Sequence, residues 1–270
     1  MVRLILDQAK DMRSVVDAMS AVSIDVVIEI NDKGFRAQAR DQSTSWLVDV
    51  FMDKSMFTTY DVSNPIVFKV DLKDYSDFIK TAKSDESLEI NDNREKNTLD
   101  LQLKSNQIIK EMSLKLQDVE DYKFLPIMER PFHSNARIGS ELFNDAVKAA
   151  ELGDDHVTLT HTKDSLHFES TTTARTAKAT IQYKDNDQVS DVEFKQGKFR
   201  NRAGEEEDIP QVHVATYAHR YLKHVARLGK SDTILLGMGH ASPIRLAMSF
   251  EDGKGHIAFA IAPRIQDDMA

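Results

Sequence analysis

The 270-residue sequence has no cysteine, one tryptophan, 6 prolines and 10 glycines. Without a thiol there is no disulfide, no thiolate zinc or iron–sulfur centre and no cysteine nucleophile, and a structural metal is not expected. The shortage of proline and glycine excludes collagen-like and Pro-rich chains, and 41% hydrophobic against 29% charged residues excludes a strongly disordered one. No segment approaches the roughly 18 consecutive apolar residues that span a bilayer. The opening Met1-Val2-Arg3-Leu4-Ile5-Leu6-Asp7 is too brief and too soon charged for a signal peptide. These features lead us to expect an intracellular soluble protein of about two domains.

Catalytic spacing is also missing. Gly229-Lys230-Ser231 ends like a phosphate loop, but His224 stands where the first glycine is required. Gly237-Met238-Gly239 begins a dinucleotide fingerprint whose third glycine position holds Ser242. Asp185-Asn186-Asp187 opens like a calcium loop without the glycine and glutamate that complete one. His156, His161 and His167 form no H-E-x-x-H pair, and strand spacing is expected to scatter them over a solvated polar face. An enzyme that handles phosphate through these histidines is the catalytic alternative, which retained metal would favour. The residues themselves point to no enzyme and no cofactor.

What is present is short-range alternation. Val26, Ile28 and Ile30, then Phe35, Ala37 and Ala39, then Leu47, Val48, Val50 and Met52 read as strands of an antiparallel sheet. Helical spacing predicts helices over Gln8 to Ser20, Leu72 to Lys83, Ser140 to Leu152 and Thr216 to Leu228. A shift of about 131 residues lays Val15-Val16 on Ala146-Val147 and Val26 on Val157, and a shift of about 146 lays Tyr75 on Tyr221 and Ile90 on Leu236. The chain therefore reads as a duplication, with insertions expected in Lys184 to Asp191 and Gly204 to Asp208. Between the copies, Gln117 to Arg137 has two prolines and many apolar residues, so it should lie against the body of the protein. It is either an ordinary packed crossover or one wall of a partner groove.

The net charge is −9, from 35 basic and 44 acidic residues, which argues against a surface that is basic all over. Local stripes matter more than the total. Arg220, Lys223, Arg227 and Lys230 recur along the fourth helix, opposite Tyr217, Tyr221, Val225 and Leu228. Lys73, Lys80 and Lys83 repeat this on the second helix, and Lys10, Arg13 and Lys148 extend it to the others. One such stripe alone is an ordinary solvated face. Four across a duplication can neutralise phosphates without reading bases.

The sequence resembles the DNA sliding clamps of the proliferating cell nuclear antigen type. The likeness rests on Phe35-Arg36-Ala37-Gln38-Ala39-Arg40-Asp41-Gln42-Ser43, Phe57-Thr58-Thr59-Tyr60, Arg220-Tyr221-Leu222 and the ending Ile261-Ala262-Pro263-Arg264-Ile265, which is nearer the archaeal wording than the eukaryotic. The resemblance covers nearly the whole chain. It implies an α+β, duplicated DNA-clamp fold, with two similar domains (1–118 and 137–270) joined by a connecting loop at 119–136. Each domain would carry antiparallel sheets outside and two helices inside, in a homotrimeric ring around sequence-independent double-stranded DNA.

By the same resemblance, Lys10, Arg13, Lys73, Lys80, Lys83, Lys148, Arg220, Lys223 and Arg227 would face DNA. Ile109 to Leu116 would pair with Ala174 to Tyr183 of a neighbour, through Lys110, Met112, Leu114, Leu116, Ala177, Ala179, Ile181 and Tyr183. Clients carrying a short motif with a glutamine and two aromatics would dock on Arg40, Leu47, Leu125, Ile127, Ala218, Pro243, Ala260, Ala262 and Pro263. Arg40 stands where the family has an apolar residue, Trp46 is expected to make a bulky rim, and Ala260 a more open floor. The implied partners are a clamp loader, DNA polymerase, flap endonuclease and DNA ligase, with no membrane. The implied setting is the cytoplasm at the nucleoid for an archaeal chain, and the nucleus for a eukaryotic one. A subunit of a heterotrimeric or checkpoint-type clamp, and a non-ring nucleic-acid-binding module, remain the alternatives.

Overall fold

Local pattern explains each helix. The computed structural model describes residues 1–119, 122–200, 204–228, 231–250 and 253–264. After strand β1 (Val2–Leu6), helix α1 (Ala9–Ser20) buries Met12, Val15, Val16 and Met19 on one face. Strands β2 (Asp25–Ile30), β3 (Gly34–Arg40), β4 (Trp46–Asp53), β5 (Thr59–Val62) and β6 (Ile66–Asp71) follow. Helix α2 (Leu72–Lys80) starts where the Asp71 carboxylate accepts from the Lys73 and Asp74 amides, an N-cap of the kind that contributes about 1 kcal/mol. It ends where the Thr81 hydroxyl donates to the Phe78 carbonyl. Lys83 therefore lies beyond the helix expected to carry it.

Strands β7 (Ser87–Asn93), β8 (Thr98–Lys104) and β9 (Ile109–Lys115) complete the first half. The second half runs β10 (Ser134–Gly139), α3 (Ser140–Ala150), β11 (His156–His161), β12 (Ser165–Thr171), β13 (Thr176–Gln182) and β14 (Val189–Phe194). It continues through the small hairpin β15 (Lys198–Arg200) and β16 (Glu206–Asp208), then β17 (His213–Ala218), α4 (His219–Leu228), β18 (Thr233–Met238), β19 (Ile244–Ser249) and β20 (Gly255–Ile261). β10 begins at Ser134, inside the stretch read as connecting loop.

The chain divides into two compact units, Met1–Leu125 with Ser249–Ile257, and Pro126–Met248 with Ala258–Ala270. In the first, one sheet has the order β5-β1-β7-β8-β9 and the other pairs β4 with β3, β3 with β2 and β2 with β6, all antiparallel. In the second, β13-β12-β11-β17 and β14-β10-β18-β19 repeat those two arrangements. Helices α1 and α2 pack together in one unit, and α3 and α4 in the other. The α+β fold is thus duplicated. Each core is filled by inward residues of both sheets and the helices, among them Leu4, Met12, Ile28, Phe35 and Tyr75 in the first unit and Phe143, Phe168, Tyr217 and Leu222 in the second.

The insertion in the second copy is localised. Thr59 begins β5 where Val189 begins β14, yet Ile66 begins β6 where His213 begins β17. The extra length falls between the starts of β14 and β17, and much of it lies in the β15–β16 hairpin. Lys184 to Asp191, expected to hold an insertion, instead forms an ordinary turn and the start of β14. Likewise Thr216 to Ala218 is strand, because it pairs with His156 to Thr158 on β11, so α4 starts at His219.

Candidate nucleic-acid and partner interfaces

Burying the apolar stripe of each helix leaves its cations outside. Lys10 and Arg13 on α1, Lys73 and Lys80 on α2, Lys148 on α3, and Arg220 and Arg227 on α4 are all exposed, as is Lys83 after α2. They are not equally available. Lys223 is ion-paired with Glu151 and Lys148 lies 3.6 Å from Asp145, so part of the basic stripe is already neutralised. The Arg220 guanidinium sits 4.8 Å over the Tyr221 ring and donates to its hydroxyl at 2.8 Å. Lys230 and Ile265 lie outside the described residues.

Both expected assembly strands are sheet edges: β9 ends one sheet of the first unit and β13 ends one sheet of the second. The named residues of each strand share one face, and burial varies along it. Leu114, 5% exposed, and Ile181, 2% exposed, are core residues of their own units, a correction to their reading as interface side chains. The alternation that marked them was the burial period of each strand against its own sheet. Lys110, Met112, Leu116, Ala177, Ala179 and Tyr183 keep partial exposure. Lys110 is committed within the unit, donating to the Glu86 carboxylate at 2.7 Å and to the Thr81 carbonyl at 2.8 Å. Glu86 is buried, which would raise its pKa, yet Lys110 and the Lys83 amide hold it below the ordinary value. This ties the end of α2 to strand β9.

The connecting segment is anchored in each unit separately. On the first, Gln38 of β3 donates from Nε2 to the Leu125 carbonyl at 2.7 Å and accepts the Leu125 amide at 3.0 Å on Oε1. Its neighbour Arg36 adds a bond to the same carbonyl at 3.2 Å, with its guanidinium 4.9 Å over the Phe124 ring. Asp49 of β4, only 2% exposed, accepts from Arg36 at 3.0 Å, Gln38 at 2.7 Å and His256 at 3.2 Å. On the second unit, buried Arg245 of β19 donates to the Met128 carbonyl at 3.1 Å and to Asn135 at 3.0 Å, and lies 4.7 Å over the Phe132 ring. Burial lowers the pKa of that guanidinium. Neither anchor follows from the sequence pattern, because Arg36 and Gln38 share the face of β3 opposite Phe35, Ala37 and Ala39, where a polar residue is expected to be solvated.

The residues expected to receive clients are distributed as follows. In the first unit Leu47 is buried on β4, Arg40 is exposed at the end of β3, and the Leu125 side chain is 46% exposed. In the second, Ile127 is buried, while Ala218, Pro243, Ala260, Ala262 and Pro263 are partly exposed. Trp46 is 6% exposed, so it packs into the sheet and makes no rim. The histidines differ from expectation more sharply. His161 and His213 are fully buried, and with His133, Phe194 and Tyr183 they form an aromatic cluster inside the second unit. Among the described residues no group of three or more His, Asp or Glu is placed to hold a metal, and no helix is long and apolar enough to cross a membrane.

The chain is thus a duplicated α+β fold with cations on exposed helix faces and with β9 and β13 among its edge strands. Residues 1–123 match the family model for the N-terminal domain of proliferating cell nuclear antigen. The "DNA polymerase sliding clamp" of Methanococcus vannielii is 25% identical over 259 residues, covering 96% of this chain and 97% of that protein. That of Methanococcus maripaludis strain C5 is 27% identical over 262 residues, covering 95% and 96%. The crystal structure of PCNA from Thermococcus kodakaraensis superposes with a TM-score of 0.83 at 22% identity, over 98% of this chain and all of that one. Residues 1–123 thus match the N-terminal domain of proliferating cell nuclear antigen, and the whole chain is similar in sequence to archaeal DNA polymerase sliding clamps and in fold to a solved clamp structure.

Proposed function

We propose that three copies of this chain close head to tail into a ring that encircles duplex DNA, slides on it and tethers replication and repair proteins. The observation that carries this reading is the pair of open edges. β9 and β13 are each seven residues long, lie in different units, and offer main-chain groups that a neighbour's strand would satisfy. Two different edges on one chain meet the requirement of a heterologous contact whose rotation closes. Enclosure then replaces grip. The exposed lysines and arginines of the helices meet phosphates through weak, salt-screened contacts that read no bases and allow sliding.

A tethered client is held at high effective concentration beside its template. Polymerase, ligase and flap nuclease would bind through the short motif with a glutamine and two aromatics, with the exposed Leu125 side chain among the contacts. A loader would open the ring. The similar proteins reported above are all archaeal, which favours a setting at the nucleoid in the cytoplasm.

Light scattering of the purified chain tests this directly. A mass near three subunits, with retention on closed circular DNA and release from linear DNA, is the expected result. A monomer that forms rings only with other chains would replace the reading with a heterotrimeric clamp, and equal retention on linear DNA with a non-ring binding module.

A further inference from the structure

The Gln38 side chain is only 1% exposed, and its amide is saturated. One N–H goes to Asp49 at 2.7 Å and the other to the Leu125 carbonyl at 2.7 Å, while Oε1 accepts from the Leu125 amide at 3.0 Å and the Tyr122 hydroxyl at 3.3 Å. A glutamine amide has two donors and two acceptor sites, and all are filled. The two bonds to Leu125 reproduce what a neighbouring strand would supply, from a side chain. The amide has one workable orientation. The Asp49 carboxylate, ion-paired with Arg36, only accepts, so turning the amide over would set Oε1 against another acceptor there and leave the Leu125 carbonyl without its donor from Gln38.

Residues 122–125 lie in no helix or strand of their own. The Gln38 bonds, with the Arg36 bond to the same carbonyl, form a clasp that holds the main chain of Leu125 while its side chain stays outside. We propose that Gln38, oriented by Asp49, is the positioning residue of the connecting segment: it presents Leu125 in a fixed place, so that a client docks on an ordered surface and does not have to order the segment itself. The second half of this statement rests on the client-docking reading above; the first does not.

Two measurements on the full chain separate them. Gln38→Met keeps the volume and loses every bond; Gln38→Asn keeps a polar group for Asp49 but is too short to reach both Leu125 groups. In the free protein, hydrogen exchange at the Leu125 amide should quicken about tenfold in either variant, with exchange in β2 and β6 unchanged. The affinity of a synthetic peptide carrying a glutamine and two aromatics should fall about tenfold, with subunit mass unchanged. Unaltered exchange at Leu125 in Gln38→Asn overturns the clasp. Faster exchange with unaltered peptide affinity overturns its role in docking. A wild-type chain that does not bind the peptide overturns the client reading, while the exchange result still decides the clasp.

Discussion

His161 Nδ1 lies 2.9 Å from the Ser134 hydroxyl, deep in the second unit, and the other ring nitrogen has no partner among the described residues. Burial, with some repulsion from His213, pushes the His161 pKa down to about 3. Burial, with repulsion from His133 and His240, pushes His213 down to about 4. His133 is lowered by burial and then by Lys195. The titratable groups that face these rings repel a proton.

Stability should therefore fall in acid. The unfolded chain binds protons on these histidines near pH 6.5, whereas the folded unit resists them until about pH 4 and then 3. Their contribution is complete above 6.5 and is lost as pH drops through that window, by up to about tenfold in the folding constant per pH unit per histidine. Urea titrations between pH 7 and pH 4 check this. His161→Phe with His213→Phe should flatten the dependence, and an equally steep slope in that variant would place the acid sensitivity elsewhere.

Assembly should be sensitive to the partly exposed residues of the two edges and not to the buried ones. Met112→Glu or Ala179→Glu should give folded monomers, seen as a drop in mass by light scattering with an unchanged circular dichroism spectrum. Ile181→Glu puts a charge in the core and should unfold the second unit instead. Trimers that persist in both edge variants would move the contact to other strands.

Neutralising the helix faces should change salt dependence before it changes folding. Arg220→Ala with Arg227→Ala should reduce the slope of log affinity for duplex DNA against log salt by about 0.9 per lost phosphate contact. Lys223→Ala should do less, because Glu151 already occupies that ammonium. A slope left unchanged by the double variant would remove α4 from the DNA-facing set.

Much of the fold was legible because burial has a period. The stripe Met12, Val15, Val16 and Met19 marks α1, and the doublets that repeat across the chain mark the duplication. What escaped was set by long-range pairing or by burial of polar groups. Thr216 to Ala218 follow a helical spacing by chance, and only β11 makes them strand. Lys83 continues the spacing of α2, but the Thr81 hydroxyl has already closed the helix end. His161 alternates with polar neighbours like a solvated residue, yet its side of β11 faces a core. Gln38 and Asp49 alternate like solvated residues on the face opposite Ala37 and Val50, and their burial shows itself only when Leu125 is known to lie against them.

The β15–β16 hairpin has no counterpart in the first copy. It is closed by the bond from the Ile209 amide to the Gly197 carbonyl at 2.8 Å and by the pairing of Lys198 with Asp208. The helix pairs and main sheets occur once in each unit, whereas this hairpin occurs once per chain among the described residues. A molecule that touches it meets a single address per subunit, and so can tell one half of a nearly repeating object from the other.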